Sequence, residues 1–140
     1  MEINLKRKNQ AFHYEAKLGE HVVQVDGSSA IGGENKGARP MEYILTGVAG
    51  CVSIDLGLIL KKQRQILEDY SISVSGTRNE DTAKAFKSIH LNFWLKGDLN
   101  DQKVERAIDL AINKYCSAIQ SLNENIKITR EFEIETPKKK

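Results

Sequence analysis

Cys51 and Cys116 are the residues of this 140-residue chain best able to carry chemistry. A thiolate is a nucleophile, and a second thiol within reach can resolve the oxidised form of the first. They lie 65 positions apart, with no Cys-x-x-Cys or Cys/His cluster between them, so the spacing does not predict a zinc site. The plain alternative is that both are small core residues, since cysteine is among the most buried residue types. The histidines add nothing to a site. His13 and His90 fall on the polar sides of alternating runs, and His21 opens one. No Ser-His-Asp order or nucleophile elbow is present. The Gly32–Gly37 stretch lacks the spacing of a phosphate loop and reads as a flexible approach to the apolar stretch after Pro40.

Each cysteine falls within a helical pattern or at its end. Pro40 suits a first helical position, because its missing N–H would be unpaired there anyway. From Tyr43 to Leu60 only Thr46, Ser53 and Asp55 are clearly polar. Apolar residues surround the axis, which predicts a buried helix over 40–64 with Cys51 at its centre. A second helix is predicted from Asp101 to Tyr115. Val104, Ala107, Ile108, Ala111, Ile112 and Tyr115 form its core face and Cys116 sits at the edge. Ser117–Leu122 reads as a further short helical turn.

Alternation predicts the strands. Residues 2–26 read as a three-stranded antiparallel meander, with Gly19-Glu20 as a turn. Two more strands centre on Ile72 and Leu91, and a last one covers 126–134. There Arg130 occupies a position expected to face inward, which predicts a bulge, a buried ion pair or an interface. The order βββ–α–ββ–α–β implies an α+β fold, antiparallel sheets around two central helices, as a single domain over 1–136 followed by a basic tail, 137–140. The first helix is too apolar to be covered by one sheet, and Gly47, Ala49 and Gly50 permit close approach, so a symmetric homodimer is expected to bury its second side.

The totals exclude some functions. A net charge of +2 with no basic stripe argues against nucleic acid. Asp55 and three glycines make the 43–60 stretch a poor membrane span. The charged, alternating N-terminus does not read as a signal peptide. Two unpaired cysteines fit a reducing, cytoplasmic setting.

Arg39-Pro40-Met41-Glu42-Tyr43-Ile44-Leu45, Ala49-Gly50-Cys51 and Lys114-Tyr115-Cys116-Ser117 together resemble the OsmC/Ohr family of osmotically induced and organic-hydroperoxide-resistance proteins. The likeness covers almost the whole chain. Cys51-Val52-Ser53-Ile54-Asp55, followed by the basic helix end at Lys61, Lys62 and Arg64, is similar to a subgroup with Asp four residues after the first cysteine. The resemblance implies an intertwined homodimer with sites at the subunit interface. It also implies a thiol peroxidase acting on organic hydroperoxides. In that chemistry Cys51 would attack the O–O bond, Cys116 would resolve the sulfenic acid, an external dithiol reductant would close the cycle, and no metal or organic cofactor would be required.

The chain departs from the family pattern where the thiolate should be organised. Met41, not Glu, follows Pro40, and Glu42 comes one residue later. Nine residues of regular helix turn by about 900°, which points Glu42 away from Cys51. Residues 1–38 hold one arginine, Arg7, so Arg39 and Arg130 are the other candidates for the family's cation. Arg39 and Glu42 are nevertheless the candidate catalytic partners of Cys51 and Cys116. Asp55, at i+4, shares a face with Cys51, and an ionised carboxylate there disfavours a thiolate unless Lys62, Arg130 or another cation pairs with it. The alternative reading is therefore a weakly catalytic or non-catalytic dimer that binds a small hydrophobic molecule at its interface.

Overall fold

The alternating residues of the N-terminal segment form a meander in the computed structural model, which describes residues 1–138; Lys139 and Lys140 of the expected basic tail lie outside the described residues. Strands β1 (Asn4–Arg7), β2 (Tyr14–Leu18) and β3 (His21–Val25) pair antiparallel in the order β1-β2-β3. Leu18 pairs with His21, which leaves Gly19-Glu20 as a two-residue loop. Gly19 has φ +61°, and a positive φ at the first loop position is the mark of the primed turns that match strand twist. The helix α1 (Pro40–Lys62) begins in this segment. The chain divides into two compact units, the first Met1–Ile44 and the second starting at Leu45.

Within the first unit the glycine-rich stretch is pinned, contrary to the flexible approach expected. Asp26 is buried at 1% exposure. Its carboxylate accepts backbone N–H groups from Gly27 at 2.7 Å, Glu34 at 3.1 Å and Lys36 at 3.1 Å. At Gly33 and Gly37 backbone touches backbone. A Cβ on Gly33 would meet Gly27 O at 1.8 Å, and one on Gly37 would meet Gln24 C at 2.4 Å. Side-chain anchorage and close packing thus hold the loop that leads into α1.

The second unit contains the rest of α1, then β4 (Asp69–Arg78), β5 (Phe86–Lys96), α2 (Asp101–Leu110), a π-helical turn (Ala111–Tyr115), the short α3 (Ser117–Gln120) and β6 (Lys127–Glu135). The α+β class is as expected, but this sheet is mixed. β4 and β5 are antiparallel, whereas β5 and β6 run parallel, Leu91 beside Arg130. The helical connection between them permits this, because a crossover through α2 returns the chain in the same direction. Asn100 caps α2 by accepting the Lys103 N–H at 3.0 Å. At the end of α1, Gln65 N–H reaches back to Leu60 O at 2.9 Å beside Arg64 at φ +59°, the left-handed helix stop.

Most core residues of the second unit come from three elements. α1 gives Val48, Val52, Leu56 and Leu60; β5 gives Ile89, Leu91, Phe93 and Leu95; α2 and its π turn give Val104, Ala107, Ile108, Ala111 and Ile112. The i, i+4 spacing on α1 is a single stripe. The helix is therefore not buried all round within one chain: Ile54 is 67% and Leu58 56% exposed, and a Cβ on Gly47, Gly50 or Gly57 would meet nothing within 4 Å. By length and composition alone α1 is apolar enough to cross a membrane, with mean hydropathy 1.9 over its best window; its Asp55 and the buried stripe suit a helix packed in protein. Arg130, the residue that interrupts alternation in β6, forms an ion pair that is part-exposed rather than the buried one expected. Its guanidinium donates to Asp109 at 2.9 Å and Glu105 at 3.1 Å on α2.

The three N–H groups on Asp26, led by that of Lys36, hold its carboxyl below the usual carboxylate range against the opposing effect of burial. A depressed folded-state pKa contributes stability that is present above about pH 3.9 and lost as pH falls through the folded value. Asp26→Asn is expected to lower the urea midpoint at pH 7. It should also flatten the acid limb of the midpoint against pH, measured by circular dichroism between pH 2 and 7.

Candidate thiol site

Cys51 is carried by α1 between two members of its buried stripe, Val48 and Val52. That offset leaves it half-buried. Asp55 follows one turn later on the same face, and the Cys51 thiol lies 3.9 Å from Asp55 Oδ2, as the i, i+4 spacing predicts. A neighbouring α1 residue, Ser53, bonds Tyr70 of β4 through their hydroxyls at 2.7 Å. This contact fixes the helix against the sheet.

Cys116 arrives by a different route. In a regular helix the core face of α2 would continue to Tyr115. The π turn, closed by Cys116 N–H to Ala111 O at 2.9 Å, inserts one extra residue and rotates that face. Tyr115 is consequently 49% exposed, and Cys116 is fully buried in its place. Cys116 then leaves the helical conformation and caps α3, with its Sγ accepting the Ile119 N–H at 3.4 Å. Turns of this kind recur at functional sites.

The two thiols and the carboxylate converge. The sulfurs of Cys51 and Cys116 and a carboxylate oxygen of Asp55 all lie within 4.8 Å of one another, and both cysteines are free. Burial pushes the Cys116 thiol up to about 11, and the neighbouring Cys51 adds to the rise, while the Ile119 N–H pulls the other way. Cys116 is therefore a protonated thiol at neutral pH. Among the described residues Asp55 has no ion-pair partner. Arg130, one of the cations expected to pair with it, is committed to Asp109 and Glu105. A groove of about 330 Å³ runs beside Asp55, lined by Leu58, Lys62, Arg106, Leu110 and Tyr115 among others. Gln63 also borders it, with a buried Oε1 that has no hydrogen-bond partner among the described residues.

The structure places the two other predicted site residues at the start of α1. Glu42 at the third helical position accepts the Arg39 backbone N–H at 2.9 Å, half of a capping box. The Arg39 guanidinium donates to Gly37 O at 2.7 Å and Asn35 Oδ1 at 3.2 Å. Arg7 donates to Gln10 O at 2.7 Å at the surface. Arg106 carries no sequence signal of a site. It lies on a polar helix position like many surface arginines, and only the fold turns it toward the groove.

The different environments predict an order of thiol reactivity. Iodoacetamide should modify Cys51 first, with Cys116 protected until pH approaches 11, read by peptide mass spectrometry. The raised Cys116 pKa also gives a stability contribution complete below the free-thiol value of about 8.5, which declines as pH rises through about 11. Cys116→Ala should remove that alkaline slope from a melting-temperature profile.

The sequence and fold have known relatives. A profile described as OsmC-like protein matches residues 33–131. Protein YhfA of Escherichia coli K12 is 36% identical over 115 residues, covering 81% of this chain and 83% of its own length. A crystal structure of a hypothetical protein from Aquifex aeolicus VF5 superposes with TM-score 0.80 at 29% identity over 96% of each chain. The organic hydroperoxide resistance protein OhrB of Bacillus subtilis superposes with TM-score 0.67 at 20% identity, over 94% of this chain and 96% of that one, a likeness of fold. With its two cysteine sulfurs within 4.8 Å of each other and a family profile spanning both, the chain belongs to the OsmC-like family.

Proposed function

We propose that this chain is a cysteine-based peroxidase that reduces organic hydroperoxides in the oxidative stress response. The observation that carries the reading is the pairing of a half-buried thiol, Cys51, with a buried, protonated thiol, Cys116, within 4.8 Å. As a thiolate, Cys51 attacks the terminal oxygen of the hydroperoxide. The O–O bond breaks, the alkoxide leaves and takes a proton to become the alcohol, and Cys51 is left as a sulfenic acid. The Cys116 sulfur then displaces hydroxide from it, with loss of the Cys116 proton and release of water. The product is a Cys51–Cys116 disulfide. An external dithiol reduces that disulfide by exchange and is itself oxidised.

In this proposal the protein works as a homodimer in the cytoplasm. The uncovered apolar side of α1, with Ile54, Leu58 and the open glycines, supports a second copy packing there. The 1–136 stretch would act as one functional domain. Arg39 and Glu42 belong to the proposal as the charged residues that assist the Cys51 thiolate, standing in for the family's Arg and Glu although neither occupies the family's own position. A second reading, the binding of a small hydrophobic molecule without fast turnover, is favoured by one observation: Asp55 lies 3.9 Å from Cys51 and opposes a thiolate.

Consumption of an alkyl hydroperoxide in the presence of excess dithiol tests the proposal. Wild type should turn over. Cys51→Ser should lose at least about a hundredfold, the lower range for removal of a group central to a catalysed step. Cys116→Ser should consume one equivalent and then slow. Equal slow rates for all three proteins would sink the peroxidase and leave the binding reading.

A further inference from the structure

Cys51, Asp55 and Cys116 present a donor set that disulfide chemistry does not call for: two sulfurs and a carboxylate oxygen, each within 4.8 Å of the others. A tetrahedral cation with metal–sulfur bonds of about 2.3 Å and metal–oxygen bonds of about 2.0–2.2 Å holds its ligand atoms roughly 3.5–3.8 Å apart. The Cys51–Asp55 edge, at 3.9 Å, is already near that length. These two are an i, i+4 pair on one face of a rigid helix, and Cys116 closes the triangle from a second element. The Ile119 N–H on Cys116 Sγ is the kind of outer hydrogen bond that orients a metal ligand. Cys116 is buried while Cys51 and Asp55 are half-buried, so one side remains open for a fourth ligand. Among the described residues no other cation neutralises Asp55.

We propose that the reduced protein binds one Zn²⁺-class divalent cation through Cys51 Sγ, Cys116 Sγ and a carboxylate oxygen of Asp55, with water in the fourth position. Two thiolates select a borderline-soft ion over Mg²⁺ or Ca²⁺, which take oxygen ligands. The cation displaces the thiol protons on binding. It also gives the carboxylate beside Cys51 a partner. Metal and disulfide use the same sulfurs and exclude each other. An organic hydroperoxide that oxidises the pair would release the cation: the sulfurs supply two electrons, solvent supplies two protons, and the hydroperoxide becomes alcohol and water.

The site is tested without peroxide, so its fate is separate from that of the peroxidase. The reduced full-length protein is titrated anaerobically with Co²⁺ while the thiolate-to-cobalt charge-transfer absorption is followed. Zn²⁺ stoichiometry is measured by native mass spectrometry. The expected result is one equivalent of metal, displacement of Co²⁺ by Zn²⁺ but not by Mg²⁺, and no binding to the disulfide form. Cys51→Ser should abolish the charge-transfer band or shift it strongly. Asp55→Asn should weaken binding about tenfold or more, the least that loss of even a supporting partner costs. Both variants are half-buried positions, and circular dichroism establishes that they are folded. A folded wild type with no charge-transfer band, or affinity unchanged in either folded variant, would overturn the site.

Discussion

One extra residue in a helix determines what the site can be. The π turn at Ala111–Tyr115 shifts the inward position from Tyr115 to Cys116. Had α2 run on regularly, a tyrosine ring would point where the second sulfur now lies. The turn also ends the helix, freeing Cys116 to cap α3 and to take the Ile119 N–H on its sulfur. Burial outweighs the backbone N–H groups of Ile119 and Ala118 and makes Cys116 a thiol that stays protonated. The local cost of an irregular turn is offset by the surrounding core, because Ala111, Ile112 and Cys116 are all buried beside the stripe from α1 and β5. The chemistry of the second cysteine is therefore a packing consequence.

The first cysteine depends on α1 in the complementary way. Its stripe of Val48, Val52, Leu56 and Leu60 sets the rotation of the helix, and that rotation leaves Cys51 and Asp55 together at the stripe's edge. Both ends of the helix are anchored. At the start, Glu42 folds back on the Arg39 N–H, and the loop before it is pinned on Asp26. At the far end the chain turns through Arg64 in a left-handed conformation. The buried stripe and the i, i+4 spacing on α1 thus fix how the thiol and the carboxylate face each other.

Much of this was legible in the sequence because it rests on period and punctuation. Alternation located the meander and the β4 and β5 strands, and Pro40 marked the start of α1. The i, i+4 relation placed Asp55 on Cys51, and the mismatch at Arg130 marked a residue with a special partner without saying that it would be a part-exposed ion pair. What escaped has no periodic signature. A π turn is one residue of slippage that local composition does not encode, so Tyr115 read as core and Cys116 as edge. The parallel pairing of β6 depends on a crossover rather than on the strand itself. Asp26 looked like the polar end of a strand, although Asp before Gly is a common turn-former. Its three backbone partners lie as far as ten residues away. The groove residue Arg106 gained meaning only when the fold set α2 beside α1.

The electrostatics of the cluster link the two chemistries assigned to it. Two unit negative charges about 4 Å apart repel by about 1 kcal/mol in bulk water and by about 4 kcal/mol at an effective dielectric near 20. The separation of Cys51 and Asp55 is 3.9 Å, and both groups are half-buried. Positive charge entering the same small volume would ease that repulsion. A monovalent side-chain cation would balance one charge and leave the sulfur nucleophilic toward a peroxide. A divalent cation would balance two charges and occupy the sulfur lone pairs that the attack needs. The placement of Asp55 therefore makes the identity of the arriving cation the variable that separates a reactive thiol pair from a metal-held one.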